Sequence, residues 1–241
     1  MFSTRGVREI KYLYKTVVTP QAIFCYKYYS LRYGKRGTRG TNISRTSDQQ
    51  KAVNRRLAAH KRLWTICANF KRTDHFLTFT YRRDARPADM DEAVKCAGKA
   101  MARLSRILKR QGVKLSYYLM TERGERGAVH HHVLIRNNFD VGLIFGKRIW
   151  THGAVQVKEI YTDSMLALGR YFLKGDSAAS EKRYSQSRDV IAPKPKVEVI
   201  KAAKWRSKPR PKKGYDVIDV VDGVSEGFGM PYQEYIMVKR E

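Results

Sequence analysis

Residues 113–137 leave this chain few ways to fold locally. Two runs of β-forming residues, VKLSYYLMTE and AVHHHVLIRN, are separated only by RGERG. A short, glycine-bearing spacer between such runs makes an antiparallel hairpin. Alternate side chains of a strand share a face, so His130, His132 and Leu134 point one way. Val129, His131, Val133 and Ile135 point the other, and that apolar face is expected to rest on helices, with His131 as its exception. Two imidazoles two residues apart stand about 7 Å apart at Cα, close enough to share one metal ion.

Glu122 ends the first run and comes near the histidines across the hairpin. A His–His–Glu set with open positions suits Mg²⁺ or Mn²⁺ bound to a phosphate, or Zn²⁺. Glu125 is a rival ligand, but it sits in the turn, where solvation is its plainer fate. A lone strand histidine is most often satisfied by a hydrogen bond. The pair in register, the carboxylate on the neighbouring strand and the basic character of the chain together favour a metal site.

That basic character is pronounced. Forty-nine Lys and Arg face 22 Asp and Glu, a formal charge of +27, and such a field attracts polyanions. Nucleic acid is the expected partner. No apolar run is long enough to span a bilayer and no signal-peptide pattern opens the chain, so no membrane role and a cytoplasmic location are expected. Cys25, Cys67 and Cys96 are odd in number and far apart, without C-x-x-C spacing, which fits buried thiols in a reducing compartment.

Around the hairpin the pattern alternates. Residues 45–70 read as a helix capped by Thr46 or Ser47, with Val53, Leu57, Leu63, Trp64 and Cys67 as an apolar stripe and Lys51, Arg55, Arg56, Lys61 and Arg62 as a basic face. HFLTFT is a strand. A second helix starts at Asp89, carries Met90, Val94, Ala97, Met101, Leu104 and Leu108 at helical spacing, and stops at Gly112. A short helix near 139–149, a strand in GAVQVKEIY and a helix in TDSMLALGRYFLKG follow. The first 44 residues hold one or two strands, such as AIFCYKYYSL, and a basic loop, YGKRGTRGTN. YDVIDVV and QEYIMVKR are the last two strands. The expected class is α+β, an antiparallel sheet with packed helices. The expected organisation is a basic N-terminal arm with strands (1–44), a catalytic domain (45–195), and a C-terminal basic loop with strands (196–241) that extends the same domain.

RYFLKGD adds a second element. Tyr171 and Lys174 are three apart on a helix and project from one face. A phenol is a poor nucleophile near neutrality because its pKa is about 10, and a nearby ammonium stabilises the phenolate. Among 15 tyrosines the spacing alone is weak, and its value lies in following the histidine strand.

His130-His131-His132 as His-x-His, Tyr171-Phe172-Leu173-Lys174 as Tyr-x-x-Lys, and FLTFTY upstream, in that order, resemble the HUH endonuclease superfamily. The closer likeness is to the single-tyrosine rolling-circle replication initiators of bacterial plasmids and phages. ANFKRTDHFLTFTY, MTERGERGAVHHHVLI and KRYSQSRDVIAP are also similar to such proteins. The likeness is anchored over roughly residues 50–195 and fades at both ends. It implies a central antiparallel sheet related to the ferredoxin-like arrangement, with His130, His132 and Glu122 holding Mg²⁺ or Mn²⁺. It implies Tyr171 as nucleophile assisted by Lys174, and site-specific nicking and rejoining of single-stranded DNA at an origin through a 5′-phosphotyrosine. His131 stands where the pattern usually has an apolar or aromatic residue. No second tyrosine lies four residues from Tyr171, so a second subunit is one route to a second cleavage.

GLIFGKR is too short between its glycines to be a nucleotide-binding loop, so a host helicase and polymerase are expected partners. Arg183, Ser185, Ser187 and Arg188 are candidate DNA-backbone contacts. Trp205 is the tryptophan suited to base stacking, with Trp64 and Trp150 better suited to core. The alternatives are a non-catalytic basic nucleic-acid-binding protein, for which the histidines and Tyr171 are incidental, and a related HUH transposase or relaxase.

Overall fold

The structure is a computed structural model, and it describes residues 11–30, 33–34, 48–124, 127–160, 165–173, 182–201, 205–224 and 229–240. The element order is β1 (Lys11–Val18), β2 (Ala22–Ser30), α1 (Asp48–Asn69), β3 (His75–Thr80), α2 (Met90–Arg110), β4 (Tyr117–Arg123), β5 (Val129–Ile135), α3 (Leu143–Gly146), β6 (Val155–Glu159), α4 (Met165–Leu173), β7 (Arg183–Gln186), β8 (Lys196–Val199), β9 (Tyr215–Val224) and β10 (Pro231–Lys239). The class is α+β, as expected, but there are two antiparallel five-stranded sheets where one was expected. The chain divides into two units, residues 52–192 and the paired terminal stretches 1–51 and 193–241.

The unit of residues 52–192 holds the sheet β6-β3-β5-β4-β7. Its core shows why α2 forms where it does. Met90, Ala93, Ala97, Ala100, Met101, Leu104 and Leu108 recur every three or four residues and are all buried. Asp89 caps the start by accepting from the Glu92 amide at 2.7 Å, while the Glu92 carboxylate accepts from the Ala88 amide at 2.7 Å. Gly112, at φ +72°, lets the chain leave, with the Val113 amide donating to the Leu108 carbonyl. The apolar side of α2 meets Leu77, Phe79, Leu119, Val133 and Ile135, the odd-numbered face of β3, β4 and β5. Each such leucine contributes on the order of 2–5 kcal/mol against truncation to alanine.

Helix α1 departs from its expected stripe. Leu63, Trp64, Ile66 and Cys67 are buried, but Val53 and Leu57 are 41% and 46% exposed. The buried set therefore belongs to the last two turns. The expected caps Thr46 and Ser47 lie outside the described residues, as do the basic loop from 35 onward, the expected caps Thr162 and Asp163, Gly175 and Lys174. Trp150 is buried and stacks on Phe79 at 5.2 Å, its indole N–H donating to the Thr80 carbonyl at 2.9 Å.

In the other unit the sheet order is β8-β1-β2-β10-β9. Two elements not read from the sequence, β1 and β8, join it. The last strands pair with β2 and with each other, not with the sheet that carries the histidines. The physical reason is register: β10 runs antiparallel to β2 from Gln233↔Lys27 to Val238↔Ala22, which buries Ile23, Cys25, Tyr235 and Met237 together. Trp205 lies flat on Tyr12 with ring centroids 4.4 Å apart, so its expected exposure to bases is taken up by an internal stack.

Candidate metal centre and tyrosine

The hairpin forms as the sequence indicates. β4 pairs with β5 so that Glu122 is opposite His130 and Met120 opposite His132, and β3 adds Thr80 beside His130 and Thr78 beside His132. Period-two alternation puts Glu122, His130, His132, Thr78 and Phe76 on one face of the sheet. Glu122 Oε1 lies 2.9 Å from His130 Nε2 and 3.2 Å from His132 Nε2. One ligand atom from each residue falls within 4.8 Å of the others. These hydrogen bonds, from His130 first, then His132 and Lys182, hold the Glu122 carboxyl well below the usual carboxylate range.

The donor set fits a cation, and the other nitrogen of His130 says why. His130 Nδ1 lies 3.4 Å from the Ala128 carbonyl, which can only accept, so Nδ1 carries the proton. A neutral ring then turns the Nε2 lone pair toward the Glu122 carboxylate oxygen, and two acceptors cannot bond to each other. Either a second proton or a cation resolves that contact. His132 Nδ1 meets the Thr78 hydroxyl at 3.2 Å, a partner able to donate or accept. Outer hydrogen bonds of this kind fix ligand rings for a metal.

His131 is turned to the opposite face and is fully buried. Its Nε2 lies 2.8 Å from the Tyr81 hydroxyl and its Nδ1 2.8 Å from the Thr121 hydroxyl. A neutral ring needs one donor and one acceptor, and two rotatable hydroxyls supply both. Burial, with the neighbouring imidazoles, pushes its pKa down to about 3. It takes the apolar-side position as a satisfied polar residue. Glu125 lies outside the described residues.

Tyr171 lies on the same face as the cluster. Its ring meets that of His132 edge-on with centroids 5.7 Å apart, and meets Phe76 edge-on at 6.2 Å. Phe76 in turn stacks on His132 at 5.4 Å. Next to it in α4, Phe172 is fully buried and packs against Tyr118 and Phe76, which anchors the helix to the sheet. Gly169 makes close approach to α1 possible: a Cβ there would lie 2.4 Å from Leu63 Cδ1. Tyr171 itself is 48% exposed. Partial burial, and then the Glu122 charge, raise its phenol pKa. A cavity of about 280 Å³ opens beside it, lined by Phe76, Thr78, His130, His132, Arg86 and Lys158.

The other expected contacts scatter. Arg183 and Ser185 pair with Thr121 and Leu119 and so face away from Glu122. Ser187 accepts from the Tyr117 amide at 3.0 Å, a structural use. Arg188 is exposed and borders two other cavities. One residue was missed. Lys182, one step before β7, places its Nζ 3.2 Å from Glu122 Oε2, with its side chain only 8% exposed. Its sequence context, EKRYSQ, is that of a polar loop, and only the pairing of β7 with β4 reveals it.

Residues 74–176 match a family described as Replication-associated protein, of the ORF2 type. This is a rolling-circle Rep family, in line with the resemblance carried by the His-x-His and Tyr-x-x-Lys segments. The matched stretch contains Glu122, His130, His132 and Tyr171. No curated protein and no solved structure matches the chain.

Proposed function

We propose that this protein initiates rolling-circle replication by nicking and rejoining single-stranded DNA at an origin, with Tyr171 as nucleophile. The observation that carries the reading is the placement of the Tyr171 ring and the Glu122–His130–His132 cluster on one face of one sheet. His130, His132 and Glu122 would hold a divalent cation, Mg²⁺ or Mn²⁺. When bound, such an ion supplies positive charge that offsets negative charge on a phosphate oxygen.

The protein's own residues account for the rest. The exposed edge of Tyr171 lets a polymeric substrate reach the phenol, while Phe76 and His132 limit its swing. The Tyr171 oxygen forms a bond to the scissile phosphorus as the P–O3′ bond breaks. The phenolic proton passes to solvent, and the departing 3′ oxygen takes a proton from solvent. One phosphodiester replaces another, so the 3′-hydroxyl can return and rejoin the strand without ATP. Between those steps a polymerase can extend the free 3′ end. Arg86 and Lys158, at the cavity, bring positive charge to the path of the strand. The +27 charge draws the polyanion in, and a helicase would separate the strands.

The test is incubation of the full chain with single strands from its own replicon and Mn²⁺, read on a denaturing gel. A covalent protein–DNA species that maps to one nick supports the reading. Salt-sensitive binding with no covalent species on any such strand overturns it and leaves a non-catalytic binder.

A further inference from the structure

Glu122 has two carboxylate oxygens, and its neighbours divide them. Oε1 faces His130 Nε2 and His132 Nε2, at 2.9 and 3.2 Å. Oε2 faces Lys182 Nζ, at 3.2 Å. The ammonium is held from the other side as well: it donates to the Phe172 carbonyl at 3.3 Å. That carbonyl belongs to the last turn of α4, where backbone acceptors lack helical partners and favour a cation. The residue before it is Tyr171.

We infer that Lys182 is a positioning residue that reserves Oε2 of Glu122, so that the cluster offers one carboxylate oxygen and two imidazole nitrogens to a cation. This rests on the metal-dependent reading above. A carboxylate free to use both oxygens would bind an ion in bidentate fashion, as hard cations readily accept. It would then fill a position that a substrate phosphate must take. By occupying Oε2, the ammonium keeps the ligand count at three. Its bond to the Phe172 carbonyl ties the same carboxylate to the helix turn that carries Tyr171, so one side chain fixes nucleophile and ligand relative to each other. Lysine suits this better than a neutral donor, because the near-buried carboxylate needs a counter-charge.

The two consequences have opposite signs, and that separates positioning from mere structural support. Lys182 also repels a cation a few ångströms away. Lys182→Met should therefore bind Mn²⁺ more tightly, by about threefold or more, through lost repulsion and a second carboxylate oxygen. It should form the covalent DNA adduct at least about tenfold more slowly at saturating Mn²⁺. Lys182→Arg, which keeps the charge and can reach both acceptors, should restore the adduct rate to within a few-fold. Mn²⁺ titration calorimetry and single-turnover gels on the full-length chain read both quantities. Unchanged or weaker Mn²⁺ binding by folded Lys182→Met overturns the inference. A crystal structure of the wild-type chain soaked with Mn²⁺ decides the matter without any variant: Glu122 bound through one oxygen, with Lys182 on the other, supports it, and both oxygens on the ion overturn it. A wild-type chain that takes up no Mn²⁺ would instead remove the metal-dependent reading itself.

Discussion

The rings of His132 and Tyr171 meet edge to face, with centroids 5.7 Å apart, although 39 positions separate them in the chain. Phe76 touches both, stacking on the imidazole and presenting itself edge-on to the phenol. Three aromatic rings from β3, β5 and α4 thus set the tyrosine against the face that carries the histidines. A hydroxyl held this way swings little, which is what a nucleophile aimed at a bound phosphate requires.

Tyr171→Phe keeps every ring contact and removes only the oxygen. DNA affinity should stay within about twofold and unfolding stability within about 0.5 kcal/mol. The covalent adduct on a denaturing gel should disappear. An adduct that persists in this variant would mean that another tyrosine attacks, and Tyr161 would be the next to replace.

Thr78 contacts the cluster only through His132 Nδ1, at 3.2 Å. Thr78→Val preserves the β-branched shape of a strand residue and deletes that hydrogen bond. Mn²⁺ affinity should fall by about tenfold or more, as for other outer hydrogen bonds to metal-binding imidazoles. His132→Ala should abolish metal-dependent cleavage altogether. Titration calorimetry reads the first, and equal affinity for the Thr78 variant and the wild type would show that the hydroxyl does not orient the ring.

Cation binding should also appear as stability. A ligand that binds the folded chain alone adds about 2.7 kcal/mol at a hundredfold excess over its Kd. Thermal melting should shift upward with Mn²⁺ in the wild type and return on addition of a chelator. In Glu122→Gln the upward shift should largely vanish. Equal shifts in both proteins would place the ion elsewhere.

His131 makes a prediction about acid. Burial holds its folded-state pKa near 3, against an ordinary value of 6.5. Between those values the unfolded chain binds a proton that the folded chain refuses, so stability falls as the pH drops from about 6.5 toward 3. His131→Gln removes this titration while retaining a donor and an acceptor. Its stability should depend less steeply on pH across that window, by up to about one proton. Denaturant titrations at several pH values check this, and parallel slopes would refute it.

Two glycines of the same unit should respond oppositely to alanine. At Gly153 a Cβ would lie 2.1 Å from the Thr80 carbonyl oxygen and 2.7 Å from the Arg82 nitrogen, both backbone atoms that cannot step aside. Gly153→Ala should cost several kcal/mol, on the order of 3 or more. Gly98, within α2, has nothing within 4 Å of its added Cβ. Gly98→Ala should gain about 0.5–1 kcal/mol from helix propensity. Melting temperatures of the two variants, moving in opposite directions, are the readout.

Helix α2 and the β4–β5 hairpin were legible because their signals are local. A capping aspartate, a stripe at every third or fourth residue and a stop glycine specify α2 within 24 positions, Asp89 to Gly112. Alternation alone put His130 and His132 on one side and His131 on the other. The exposed Val53 and Leu57 show where such patterns mislead: an apolar residue at the right spacing is buried only if something packs against it. Arg183 and Ser185 looked suited to phosphate, yet their strand parity turns them away from Glu122.

What the sequence alone determined was a hairpin with two imidazoles and a carboxylate on one face, a downstream helix with a tyrosine, and a charge that demands a polyanion. Each of these depends on neighbours a few residues away. The tertiary structure decided the partners that come from afar. The pairing of β7 with β4 brings Lys182 to Glu122, the pairing of β10 with β2 joins the two ends of the chain in a sheet of their own, and the packing of Phe172 sets Tyr171 beside His132. Strand registers between distant segments are fixed by which faces can be buried together, and no local spacing records that choice.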